Sequence, residues 1–83
     1  MSEWATRAEV ERLRARYKAG MRIELIRMDD AQAPPAGTRG TVVAVDDAGS
    51  LIVNWDNGSG LNTIPGVDEF KVLHDEPTLG GDA

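Results

Sequence analysis

The stretch from Gly37 to Pro65, GTRGTVVAVDDAGSLIVNWDNGSGLNTIP, constrains the fold more than any other part of the chain. Thr41, Val43 and Val45 alternate with Val42 and Ala44, and Leu51, Val53 and Trp55 alternate with Ile52 and Asn54. A period of two marks strands with one face on a core. Asp46-Asp47-Ala48-Gly49 and Asp56-Asn57-Gly58-Ser59 separate the apolar runs as tight turns. Asn-Gly is the strongest short hairpin signal, because both residues tolerate positive φ. Leu61 to Ile64 reads as a further short strand, stopped by Pro65-Gly66. The stretch is a double hairpin, three strands joined by two turns.

The flanks extend it. Met21, Ile23 and Leu25 alternate with Arg22 and Glu24 in a first strand over Met21 to Met28, with Ile26 out of phase. Asp29 to Gly37 follows as a long loop, because Pro34 and Pro35 lack the amide hydrogen a sheet interior needs. Val67-Asp68-Glu69 suits one helical turn, and Phe70 to Leu73 a last strand. Near the start, Thr6-Arg7-Ala8-Glu9 fits a capping box. It predicts a helix from about Arg7 to Lys18, with Gly20 as its C′ residue and Val10, Leu13 and Tyr17 as a narrow apolar stripe. About three turns are not stable alone, so the stripe packs on its own sheet or pairs in a homo-oligomer. Trp4 precedes the helix and could fold onto the same surface.

The fold class expected is mainly β: a small five-stranded SH3-like barrel with an N-terminal α-helix and a disordered C-terminal tail. The helix occupies 1–19, the barrel 20–73 and the tail 74–83. The core expected is Ile23, Leu25, Val43, Val45, Leu51, Val53, Ile64, Val67, Phe70 and Val72. Eighty-three residues leave room for one core. There is no cysteine, and no apolar run approaches the length of a membrane span. The start, MSEWATRAEVERLR, lacks a hydrophobic signal core, so a cytoplasmic protein is expected. Charge divides unevenly: residues 1–27 carry +3 and residues 28–83 carry −8. An acidic barrel repels a phosphate backbone, so any nucleic-acid or acidic partner belongs on the basic N-terminal segment.

Two resemblances follow from these residues. GTVVAVDDAGSLIVNWDNGS (40–59) resembles the strand–turn–strand of KOW-type and Mind-bomb-type SH3-like domains. Over Ala8 to Leu73, the pieces EVERLR (9–14), GMRIELIRMDD (20–30), APPAGTRGTV (33–42), VDDAGSLIVNWDNGSGL (45–61) and IPGVD (64–68) are similar to a family of short uncharacterised proteins of bacteriophages, plasmids and integrative elements, whose domain has no known function. The resemblance implies the fold and a mobile-element setting, and supplies no catalytic residues.

The site candidates each have a bland competitor. Trp55 could belong to an aromatic cage or groove, but alternation places it with Leu51 and Val53 on the core side. A cage would need at least two of Trp4, Tyr17, Trp55 and Phe70 to converge. Asn54, Asp56, Asn57, Ser59 and Asn62 could read a small polar ligand, and they also suit turn chemistry. Asp29 and Asp30 join them from the long loop. Asp29, Asp30, Asp46, Asp47 and Asp56 lack EF-hand spacing. The single histidine, His74, has no cysteine partner for a structural zinc, so neither metal nor cofactor is expected. No nucleophile elbow or phosphate loop occurs. The expected function is a non-enzymatic binding module of a phage or mobile element. It would act in the cytoplasm on a host or phage protein or a small polar ligand, with inhibition or sequestration of a host component as its use. The alternative is KOW-like nucleic-acid binding through a basic stripe including Arg12, Arg16, Arg22 and Arg39, with Arg14 and Lys18 beside them.

Overall fold

The computed structural model describes residues 6–74. Trp4 and all of the expected tail except His74 lie outside the described residues. One helix, α1 (Arg7–Arg16), precedes four strands, β1 (Arg22–Arg27), β2 (Arg39–Val45), β3 (Leu51–Trp55) and β4 (Glu69–Val72). The strands form one antiparallel sheet in the order β3-β2-β1-β4. The mainly β class holds, as an open sheet of four strands rather than the five expected.

The helix starts where the capping box puts it. The Glu9 amide donates to the Thr6 hydroxyl, and the Thr6 amide to the Glu9 carboxylate. The second contact, chiefly, and the Thr6 hydroxyl hold the Glu9 carboxyl below its ordinary pKa. The helix ends two residues early, at Arg16, with Tyr17 already extended. Gly20 is therefore not its C′ residue. With φ of 92° it closes the turn from Lys18 to Met21, whose amide donates to the Lys18 carbonyl, and so aims the chain into β1. Val10 and Tyr17 are buried in the same core as the strands. The apolar stripe thus packs on its own sheet, and the ring of Tyr17 meets Phe70 of β4 at 5.5 Å.

Two β-bulges set which side chains face inward. In β2, Val42 pairs with Val53 and Ala44 with Ile52, leaving Val43 as the extra residue. Val43 is exposed, and Gly40, Val42 and Val45 face the core instead. Simple alternation through Val43 fails for this reason. In β1 the pairing with β4 shifts between Leu25 and Arg27, so Ile26, the residue out of phase in the sequence, is the bulge. Ile23, Leu25 and Met28 then all reach the core. Of the remaining expected core, Leu51 and Val53 are buried, and Phe70 and Val72 are partly so.

The expected fourth strand, Leu61 to Ile64, is reduced to a single bridge between Leu51 and Thr63. Continuing that register would place Leu61 opposite Val53. The Leu61 carbonyl instead accepts from the indole Nε1 of Trp55 at 2.8 Å. The bridge turns Thr63 inward, so its neighbour Ile64 points outward and is 45% exposed. Val67, in the turn after Pro65-Gly66, is 73% exposed. Neither belongs to the core as expected. Val67-Asp68-Glu69 forms no helix, although the Asp68 amide does reach back four residues to the Ile64 carbonyl.

Trp55 is buried against β2 where Gly40 offers no side chain. A Cβ there would lie 2.8 Å from Trp55 Cε3, 2.7 Å from Val53 Cγ1 and 3.0 Å from the Asn54 carbonyl. Gly40→Ala is expected to cost about 1–3 kcal/mol by overpacking, read as a lower urea midpoint with unchanged slope. Thr63 is fully buried, and its hydroxyl has no hydrogen-bond partner among the described residues. Thr63→Val keeps the shape and removes the orphan, so it is expected to stabilise by about 1 kcal/mol. A lowered melting temperature would show that the hydroxyl is satisfied.

Candidate functional site

The sequence-derived cluster around the second turn lies at one end of the β2–β3 hairpin, and most of it is engaged in building that end. The Gly58 amide closes the turn onto the Trp55 carbonyl, with φ of 89° at Gly58. Asn57 keeps negative φ, so only the glycine of the Asn-Gly pair uses that freedom. The Asn57 side-chain oxygen accepts from the Ser59 amide, and the Ser59 hydroxyl from the Leu61 amide. Asp30 does the same work in the long loop, accepting from the Gln32 amide. Asp29, Asn54 and Asn62 are exposed. Trp55 presents no face to solvent, and the aromatic contact that does form, Tyr17 with Phe70, has its tyrosine buried.

Asp56 is the anchor of this end. Its two oxygens take both terminal nitrogens of Arg22, Nη1 to Oδ1 at 2.8 Å and Nη2 to Oδ2 at 2.5 Å. The same Nη1 donates to the Thr41 hydroxyl at 3.0 Å. The Asp56 amide donates to the Arg39 carbonyl. One guanidinium, 8% exposed, therefore ties β1, β2 and the turn after β3. A planar fork matched to a carboxylate in this way is among the stronger polar contacts. The hydrogen bond from Arg22 is the main cause that holds the Asp56 carboxyl below its ordinary pKa.

The cations named for a basic stripe are dispersed. Arg22 is locked to Asp56, Arg39 bonds Glu24 at 3.2 Å, and Arg14 bonds both Asp47 and the Val45 carbonyl. Lys71 reaches Glu24 as well, at 3.8 Å. Among the described residues no three His, Asp or Glu side chains gather as a metal-ligand set. Nor, among them, is any helix long and apolar enough to cross a membrane.

An open groove lies at the opposite end of the hairpin. Arg14 straps α1 over the first turn, and this groove of about 760 Å³ runs along the other side of the helix. Glu9, Arg12, Leu13 and Arg16 line it from the helix, at the three- and four-residue spacings of one face. Ala48 and Gly49 line it from the first turn, and Ile64 and Pro65 from the segment after Thr63. The turn is well fixed: Asp46 Oδ1 accepts from the Ala48 and Ser50 amides, and Gly49 takes φ of 87°. Of this groove the sequence pointed only to Arg12 and Arg16. Ile64 was hidden because its short apolar run reads as core. The available signal was Thr63, a β-branched residue that competes with Ile64 for the inward position.

A family profile described as a domain of unknown function, DUF4314, matches residues 6–73. The chain belongs to that family. Neither a curated protein nor a solved structure shows significant similarity to it.

The Arg22–Asp56 pair gives a pH signature. The folded pKa of Asp56 lies below its unfolded value, so the stabilisation is complete above about pH 4 and fades as pH falls through the lower folded value. Asp56 is 53% exposed, which screens the pair. Asp56→Asn is expected to cost about 1–2 kcal/mol at neutral pH and to flatten the loss of stability below pH ~4. Thermal melts of both proteins from neutral to acid pH measure the two effects.

Proposed function

We propose that this protein is a non-enzymatic binding module that docks a protein partner in the groove between α1 and the first turn. The observation that carries this reading is the groove's lining. Leu13, Ile64 and Pro65 give it an apolar floor at the surface, and two arginines stand on its helical side. Of the polar residues first expected to hold a small ligand, Asp30, Asn57 and Ser59 are committed to turns and Asp56 to the Arg22 clamp, which favours the groove over the second turn. The strand order supports an SH3-like reading of the sheet: the 61–64 segment bridges the outer edge of β3, as a fifth strand would. In this proposal the module is carried by a phage or other mobile element. It acts inside the bacterial host by occupying, and so sequestering, a host component.

Nucleic-acid binding is the second reading. It retains Arg12 and Arg16, whereas Arg22 and Arg39 face carboxylates. The charge of −8 on residues 28–83 weighs against it.

Affinity capture from host lysate with tagged protein, side by side with an Ile64→Asp variant, tests the groove. Ile64 is already exposed, so the variant is expected to keep its melting temperature within a few degrees. A specific partner retained by the parent is expected to be lost by the variant. A partner retained equally by both places the binding surface elsewhere.

A further inference from the structure

We infer that the groove recognises an acidic segment of its protein partner, with two carboxylates about one helical turn apart flanking an aliphatic side chain. This rests on the docking role of the groove proposed above. The arginines of α1 divide into two pairs. Arg7 lies 3.5 Å from Glu11, and Arg14 bonds Asp47 at 2.8 Å. Arg12 and Arg16 have no carboxylate at ion-pair distance among the described residues. These two arginines line the groove, and only Arg12 feels a groove carboxylate, Glu9, at longer range. The groove's own carboxylate, Glu9, is held at the helix start by the Thr6 amide. Arg16 also rests on the ring of Tyr17, its guanidinium carbon 5.3 Å from the ring centroid, which limits its wandering.

Spacing narrows the occupant further. Arg12 and Arg16 sit four residues apart on one helix face, with Cβ atoms about 6 Å from each other. Leu13 lies between them in sequence, and Ile64 and Pro65 face the same groove. An acidic segment whose carboxylates match that interval would set an aliphatic side chain over the apolar floor. Arginine is the residue suited to this, because its planar fork takes a carboxylate with two hydrogen bonds. A basic or purely polar segment would leave both guanidinium groups opposed or unmatched.

The test uses a fluorescein-labelled peptide with glutamates four positions apart around a leucine. Two control peptides carry lysines for the glutamates or a serine for the leucine. Fluorescence anisotropy is measured with the parent protein and with the doubly substituted Arg12→Glu/Arg16→Glu protein. The acidic peptide is expected to bind the parent, weakening as salt rises, and to lose about tenfold or more in affinity to the double variant. The lysine peptide is expected to bind the double variant in its place, and the serine peptide to bind the parent more weakly than the leucine peptide. Arg12→Gln/Arg16→Gln removes charge without opposing the helix dipole at its C-terminal turn, and it replaces the first variant if circular dichroism shows that variant to be unfolded. Absence of acidic-peptide binding, or binding indifferent to either substitution, overturns the inference. So does a protein that dimerises through these arginines, or binds a DNA oligonucleotide in preference to the peptide. Ile64-dependent capture of a partner alongside a negative peptide result would leave the docking role standing and remove only the acidic specificity.

Discussion

The indole of Trp55 over Gly40 is the contact on which the sheet depends. A tryptophan side chain removes roughly 200 Å² from water, and among the described residues no other side chain is as large. It fits only because the facing position on β2 is a glycine. Its ring nitrogen needs a partner in the interior, and the Leu61 carbonyl supplies it. That one hydrogen bond fixes the path of the chain after β3. It prevents a regular fifth strand, leaves Thr63 as the inward residue, and sends Ile64 outward beside the helix.

The two ends of the β2–β3 hairpin have consequently separated in character. At the second turn, carboxylates, amides and guanidinium groups satisfy one another, and Arg22 joins three elements through one buried fork. Such a closed polar network favours a single geometry. At the first turn the backbone is equally well fixed and Arg14 is paired with Asp47, but the groove side of the helix is not closed in this way. An apolar floor and two arginines without carboxylates face a groove there. Among the described residues, no carboxylate from 28–74 reaches these two guanidinium groups at ion-pair distance.

Much of the fold was legible because local chemistry and tertiary structure agree. The capping box is real to the atom, both tight turns form where their Asp, Asn and Gly residues stand, and Pro34 and Pro35 lie in a loop. What was illegible had a common cause. Val43 and Val42 are the same residue type, so periodicity could not tell which of them the bulge would expel. In β1 the equivalent ambiguity was visible, because Ile26 interrupts a run of charged outward residues. The site was harder to read than the fold. Asn57, Ser59 and Asp30 carry the atoms a ligand would want, yet their backbone neighbours claim those atoms first. The groove, in contrast, is assembled from residues 9–16, 48–49 and 64–65, which no local pattern connects.

The bulges carry a consequence for chain length. Ile23 and Leu25 of β1 with Met28 just after it repeat the spacing of Gly40, Val42 and Val45 in β2, each trio with one surplus residue before its last member. Omitting the surplus residue would restore plain alternation while keeping the same three positions inward. Deletion of one residue at position 26 or 43 is therefore expected to alter local strand twist without moving the hydrophobic register.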